Sequence, residues 1–143
     1  MNDDDFAPFG LAVKLKEKGF DAPCYGYYHC NGGNDSFELC GNGDRDFLNS
    51  KNRYRIAAPT IPQVLKWLRE EYHLHISSNV YSDYSTDADL NVCDEWSFWS
   101  YYIASTLNGF FIYAAYQHVD CVEYQRWEDA ALAGIEYCLD NLI

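Results

Sequence analysis

The sequence predicts an α+β fold, a single domain whose mainly antiparallel sheet of about five to six strands is combined with three helices in the order α-β-β-β-α-β-β-β-α. Three observations lead there. Thr60-Ile61-Pro62-Gln63 is a capping box that opens an amphipathic helix. Asn108-Gly109 joins two aromatic, β-branched runs as the two-residue turn of a hairpin. Helical periodicity also marks segments near each end of the chain, and most of the intervening sequence has strand or turn character.

The first helix is expected from about Phe9 to Lys18, with Leu11 and Leu15 one turn apart on its apolar side. Gly19 stands where a left-handed residue ends a helix, and Phe20 can fold back on the last turn. After Pro23, Cys24 to His29 reads as an aromatic strand. Two Gly/Asn/Asp clusters, Asn31 to Asp35 and Gly41 to Asp44, bracket a short strand at Phe37 to Cys40, and another strand covers Arg53 to Ala57. The capped helix then carries Ile61, Leu65, Leu68 and Tyr72 on one stripe, widened by Val64 and Trp67, and leaves Lys66, Arg69, Glu70 and Glu71 to water.

From Leu74 to about Tyr81 the pattern alternates as a strand does, whereas Asp83 to Glu95 is polar, acidic and expected to be a loop. The Asn108-Gly109 turn sets Leu107 opposite Phe110, Ile103 opposite Ala114 and Tyr101 opposite Tyr116, and leaves large aromatics on both faces. The second face therefore needs cover from helices, a second copy of the chain or a ligand. The last helix runs from about Trp127 to Leu142 with Leu132, Ile135, Leu139 and Leu142 on its stripe. Gly134 inside it implies close approach to the sheet. Residues 1–8 read as a flexible acidic tail, and 30–50 and 82–95 as loop-rich insertions.

Composition bounds function. A chain of 143 residues with 48% hydrophobic and 17% aromatic content buries a core without disulfides or metals. Twenty-two acidic residues against ten basic ones give a net charge of −12, a field that repels nucleic-acid phosphates and anionic membranes, so nonspecific nucleic-acid binding is not expected. The opening Met1-Asn2-Asp3-Asp4-Asp5 is acidic where a secretion signal is basic. No run approaches the roughly 20 apolar residues of a membrane span, and the cytoplasm is the expected location. The irregular spacing of Cys24, Cys30, Cys40, Cys93, Cys121 and Cys138 suits reduced thiols.

Three blocks carry a family resemblance: Lys14-Leu15-Lys16-Glu17-Lys18-Gly19-Phe20-Asp21 with Pro23-Cys24 and Tyr27-Tyr28; Ala58-Pro59-Thr60 with Gln63-Val64 and Trp67-Leu68-Arg69-Glu70; and Tyr124 with Trp127-Glu128-Asp129-Ala130. They resemble small uncharacterised proteins of gut Bacteroidetes and their phages and mobile elements. The resemblance implies an accessory protein that binds a host factor or host immune signal, a counter-defence role, and it carries over no catalytic residues.

Candidate chemistry is sparse. Asp87-Ala88-Asp89-Leu90-Asn91 starts like a calcium loop, but Val92 stands where that loop needs glycine and Phe98 where it needs glutamate. Cys24, His29, Cys30 and Cys40 lack the paired spacing of a zinc site, and His73 suits a helix end better than a metal pair with His75. Neither a nucleophile elbow nor a phosphate loop is present, and no cofactor or metal is expected. Lys51, Arg53 and Arg55 alternate along the entry to a strand, which would project three cations from one face; with the aromatic faces of Tyr27, Trp99 and Tyr101 they are the candidate ligand-binding residues. The expected function is a non-enzymatic protein that sequesters a small anionic, nucleotide-type ligand. The alternatives are an acidic inhibitor or DNA mimic that grips a host protein, and a small enzyme of unknown reaction. An aromatic sheet face would allow homo-oligomers.

Overall fold

The computed structural model describes residues 5–31, 34–41, 45, 47–107 and 124–143. Its elements are α1 (Phe9–Glu17), β1 (Gly26–Asn31), β2 (Asn34–Leu39), a 3₁₀ turn at Asn49–Lys51, β3 (Arg55–Ala58), α2 (Ile61–Tyr72), β4 (Leu74–Thr86), β5 (Val92–Ser105) and α3 (Trp127–Asn141). The fold is α+β. Its described strands pair antiparallel and form two sheets, β2-β1-β3 and β4-β5, where one sheet was expected.

Each helix end has a chemical cause. α1 stops in a Schellman motif: Gly19 takes φ +88°, its N–H donates to Lys16 O at 3.1 Å, and Phe20 N–H donates to Leu15 O at 2.9 Å. This turn buries Phe20 in the main core. α2 begins where Gln63 Oε1 accepts the Thr60 N–H at 2.9 Å, and ends at His73 in the left-handed region. Ile61, Val64 and Leu68 are its fully buried positions.

α3 differs from its expected stripe. Ala130, Ala131, Gly134, Ile135, Cys138 and Leu139 are buried, whereas Leu132 is half-buried and Leu142 exposed. Small residues bring the helix down onto β4 and β5, and a Cβ at Gly134 would stand 2.8 Å from Ile76 Cγ2 and 3.0 Å from Tyr101 Cδ2. The close approach inferred at this glycine is therefore present.

Several boundaries move. The first strand begins at Gly26 because Cys24 pairs instead with Phe47, through Cys24 N–H to Phe47 O at 2.9 Å. β3 begins at Arg55 rather than Arg53, since the preceding residues turn through the 3₁₀ segment. Asn49 anchors that turn by donating to Phe20 O and accepting the Ala57 N–H. The supposed flexible tail is packed from Phe6 onward: Phe6 bridges Thr60, and Ala7 N–H donates to Pro59 O at 2.8 Å. The acidic loop expected over 83–95 is reduced to a turn at 87–91, because Asp83 to Thr86 and Val92 to Glu95 continue the two long strands. The register expected across Asn108-Gly109 lies outside the described residues.

Two packing centres result. Leu15, Phe20, Ile61, Leu68, Ile103, Ile135 and Leu139 belong to the larger one, while Phe6, Ala12, Tyr28, Ile56 and Ala58 form the smaller. Among the described residues no helix is long and apolar enough to cross a membrane.

Candidate functional site

The positive row is not a strand face. Lys51 closes the 3₁₀ turn, Arg53 lies in a bend and Arg55 opens β3; all three are exposed. The two-residue alternation required an extended backbone from Lys51 onward, and the turn anchored by Asn49 removes it.

Arg55 and Tyr27 do meet. Cross-strand pairing of β1 with β2 and β3 places Tyr27, His29, Glu38 and Arg55 on one sheet face. The Arg55 guanidinium carbon lies 4.8 Å from the Tyr27 ring centroid, Phe47 stacks on Tyr27 at 4.8 Å, and His29 meets it edge-on at 5.2 Å. Glu38 hydrogen-bonds His29 Nε2 and the Tyr27 hydroxyl, which hold its carboxyl below the usual range. Burial, reinforced by Glu38, pushes the Tyr27 phenol up. Tyr27 is thus enclosed, and a ligand would have to displace Arg55 to stack on it.

Trp99 and Tyr101 belong to the other sheet. With Ile103 they share the β5 face that pairs Ile76, and Tyr101 packs against Gly134 of α3 and lies 6.2 Å from the Tyr124 ring. Burial raises the Tyr101 phenol. Of the six expected ligand residues, Tyr27 and Arg55 therefore share one sheet, Trp99 and Tyr101 the other, and Lys51 and Arg53 lie in neither.

A concave site forms elsewhere. The glycine stop of α1 turns residues 18–23 alongside α2, and the two segments are tied by Gln63 Nε2 donating to Pro23 O at 2.8 Å and Tyr72 hydroxyl donating to Lys18 O at 3.2 Å. Between them lies a cleft of about 520 Å³, within the range of small-molecule sites, with Arg45, Lys66, Trp67, Glu70, Glu71, Lys18 and Asp21 in its lining. Phe20 and Tyr72 meet the Trp67 ring edge-on at 5.4 and 5.1 Å and fix its orientation.

The cleft is electrically polarised. Arg45 lies 4.7 Å over the ring of Tyr25, which follows by two residues the Pro23 that Gln63 holds. Lys66, whose nearest described acid is Glu70 at 3.8 Å, follows along α2. At the other end Lys18 donates one hydrogen bond to Ile143 O, and the two carboxylates of Glu70 and Glu71 outnumber its single ammonium in the lining. Asp21 is held below the usual carboxylate range by the Ser50 hydroxyl and backbone N–H.

Sequence reasoning missed this site because its lining comes from three separated segments and has no local motif. The one available signal was Trp67 at the margin of the α2 stripe, between Lys66 and Glu70. The chain matches no protein-family model, no curated protein and no solved structure.

Among the described residues no three or more His, Cys, Asp or Glu side chains are grouped to hold a metal ion. Asp87 instead organises the β4–β5 turn, where its carboxylate accepts from the Asp89 and Asn91 N–H groups at 2.9 and 3.0 Å.

Proposed function

We propose that the chain is a non-enzymatic binding protein that takes up a small anionic, nucleotide-type ligand in the cleft between the end of α1 and α2. The observation that carries this reading is that Arg45, Lys66 and Trp67 line one concavity. Guanidinium and ammonium groups bind phosphate by charge-assisted hydrogen bonds, and an indole offers a stacking surface to any base. Local cations matter here because the chain as a whole repels anions. Together with the family resemblance, this supports a phage- or mobile-element-carried protein that sequesters a host signal in the bacterial cytoplasm.

Thermal melting tests the reading. Nucleoside monophosphates should raise the melting temperature of the wild type by mass action and leave an R45A/K66A double variant unmoved. Identical melting of wild type with and without these ligands would overturn it.

A second reading, capture of a host protein, is favoured by one observation. Val80, Leu90 and Val92 are 56%, 80% and 60% exposed along β4, β5 and their turn, an apolar set on a chain of strong negative charge. Binding of that kind would weaken when Val80 and Val92 are replaced by serine, whereas R45A/K66A would leave it intact.

A further inference from the structure

The anion-binding reading uses one end of the cleft. The other end presents Glu71, which has no hydrogen bond or ion pair among the described residues, while the neighbouring Glu70 stands 3.8 Å from Lys66 and Asp21 is held by Ser50. Glu71 gains nothing from its position in α2, because a negative charge near a helix C-terminus opposes the helix dipole. It is also four residues beyond Trp67, so the two side chains project from the same helix face one turn apart, and both line the cleft.

A carboxylate accepts hydrogen bonds and donates none. A ligand stacked on Trp67 with its anion toward Arg45 and Lys66 must therefore offer donors at the Glu71 end. We propose that the ligand is a guanine nucleotide, read through its base edge by Glu71. Guanine alone among the common bases carries two adjacent N–H donors on one edge, the ring N1–H and the exocyclic amino group, and these match the two oxygens of one carboxylate. Adenine and cytosine set an acceptor nitrogen beside their amino group, which repels the second oxygen. Uracil has one N–H between two carbonyls. The polarity of the cleft thus fixes the orientation of the nucleotide: phosphate at the Arg45 end and base edge at the Glu71 end. This inference rests on the cleft being the anion site.

Calorimetric titration separates the two. GMP, AMP, CMP, UMP and ribose 5-phosphate are titrated into the wild type, E71Q and R45A/K66A, each checked for an unchanged melting temperature without ligand. The expected result is GMP binding about tenfold or more tighter than the other nucleotides, a preference that E71Q removes by weakening GMP, while AMP and UMP bind E71Q at least as tightly as the wild type. R45A/K66A abolishes binding of every phosphate ester. Equal affinity for GMP and UMP, or a guanine preference that survives in E71Q, overturns the inference while leaving the anion site standing. No binding of any phosphate ester overturns both.

Discussion

At Gly134 a methyl group would press on Ile76 and the Tyr101 ring at 2.8 and 3.0 Å. G134A would gain about 1 kcal/mol of helix propensity and lose about 1–3 kcal/mol to overpacking, so a net destabilisation of about 1 kcal/mol is expected from urea midpoints. The need for glycine here was legible in the sequence because a helix interior tolerates glycine only for a reason outside the helix. Gly19 was legible for a different reason, since its local stop signal needs no tertiary partner. The cation row was not legible, because its geometry depends on the Asn49 side chain bonding Phe20 at the end of α1 and Ala57 in β3 at once. Thiols also divide by residue. Burial pushes Cys24 and Cys138 up to about 12, whereas Cys30 and Cys93 are exposed. A thiolate-selective reagent at pH 8 should label Cys30 and Cys93 in the native protein and reach Cys24 and Cys138 only after unfolding.

Among the elements, α2 has the most local instruction and was read with its start correct. Gln63 supports two junctions at once, the Thr60 N–H at the helix start and Pro23 O across the cleft. Q63A should therefore cost about 1 kcal/mol in stability, measured by denaturant unfolding, and should weaken ligand binding by loosening the cleft wall. β4 and β5 taught the opposite lesson. Their outer halves are polar and acidic in sequence, yet strand pairing continues through Ser85↔Asp94 before a register shift at Thr86↔Val92. Backbone hydrogen bonds to a partner strand carry no compositional mark, so a window of single-chain polarity reads such a segment as loop. The same limit hid the cleft, whose two walls are α2 and a segment that follows a different helix.

At the scale of the whole molecule, acidity is distributed with purpose in a few places. Lys14 joins α1 to α3 through Glu136 at 2.9 Å and Asp140 at 2.8 Å, and Asp140 with Glu136 raises its pKa above 10.5. A raised folded-state value means that this contribution is complete below 10.5 and is lost as pH rises through the folded value. Asp21 and Glu38 are depressed below 3.8 and 4.5, so their contribution is complete above those values and is lost as pH falls through the folded ones. Urea midpoints measured from neutral pH into this acid range should fall for the wild type and fall less steeply for D21N/E38Q.

The site assignment itself is tested most directly by fluorine NMR of protein carrying fluorotryptophan at its four tryptophans, with the Trp67 resonance assigned through W67F. Titration with GMP should move the Trp67 resonance and leave those of Trp96, Trp99 and Trp127 in place. A stationary Trp67 resonance, or movement of Trp99 in its stead, would contradict a ligand site between α1 and α2.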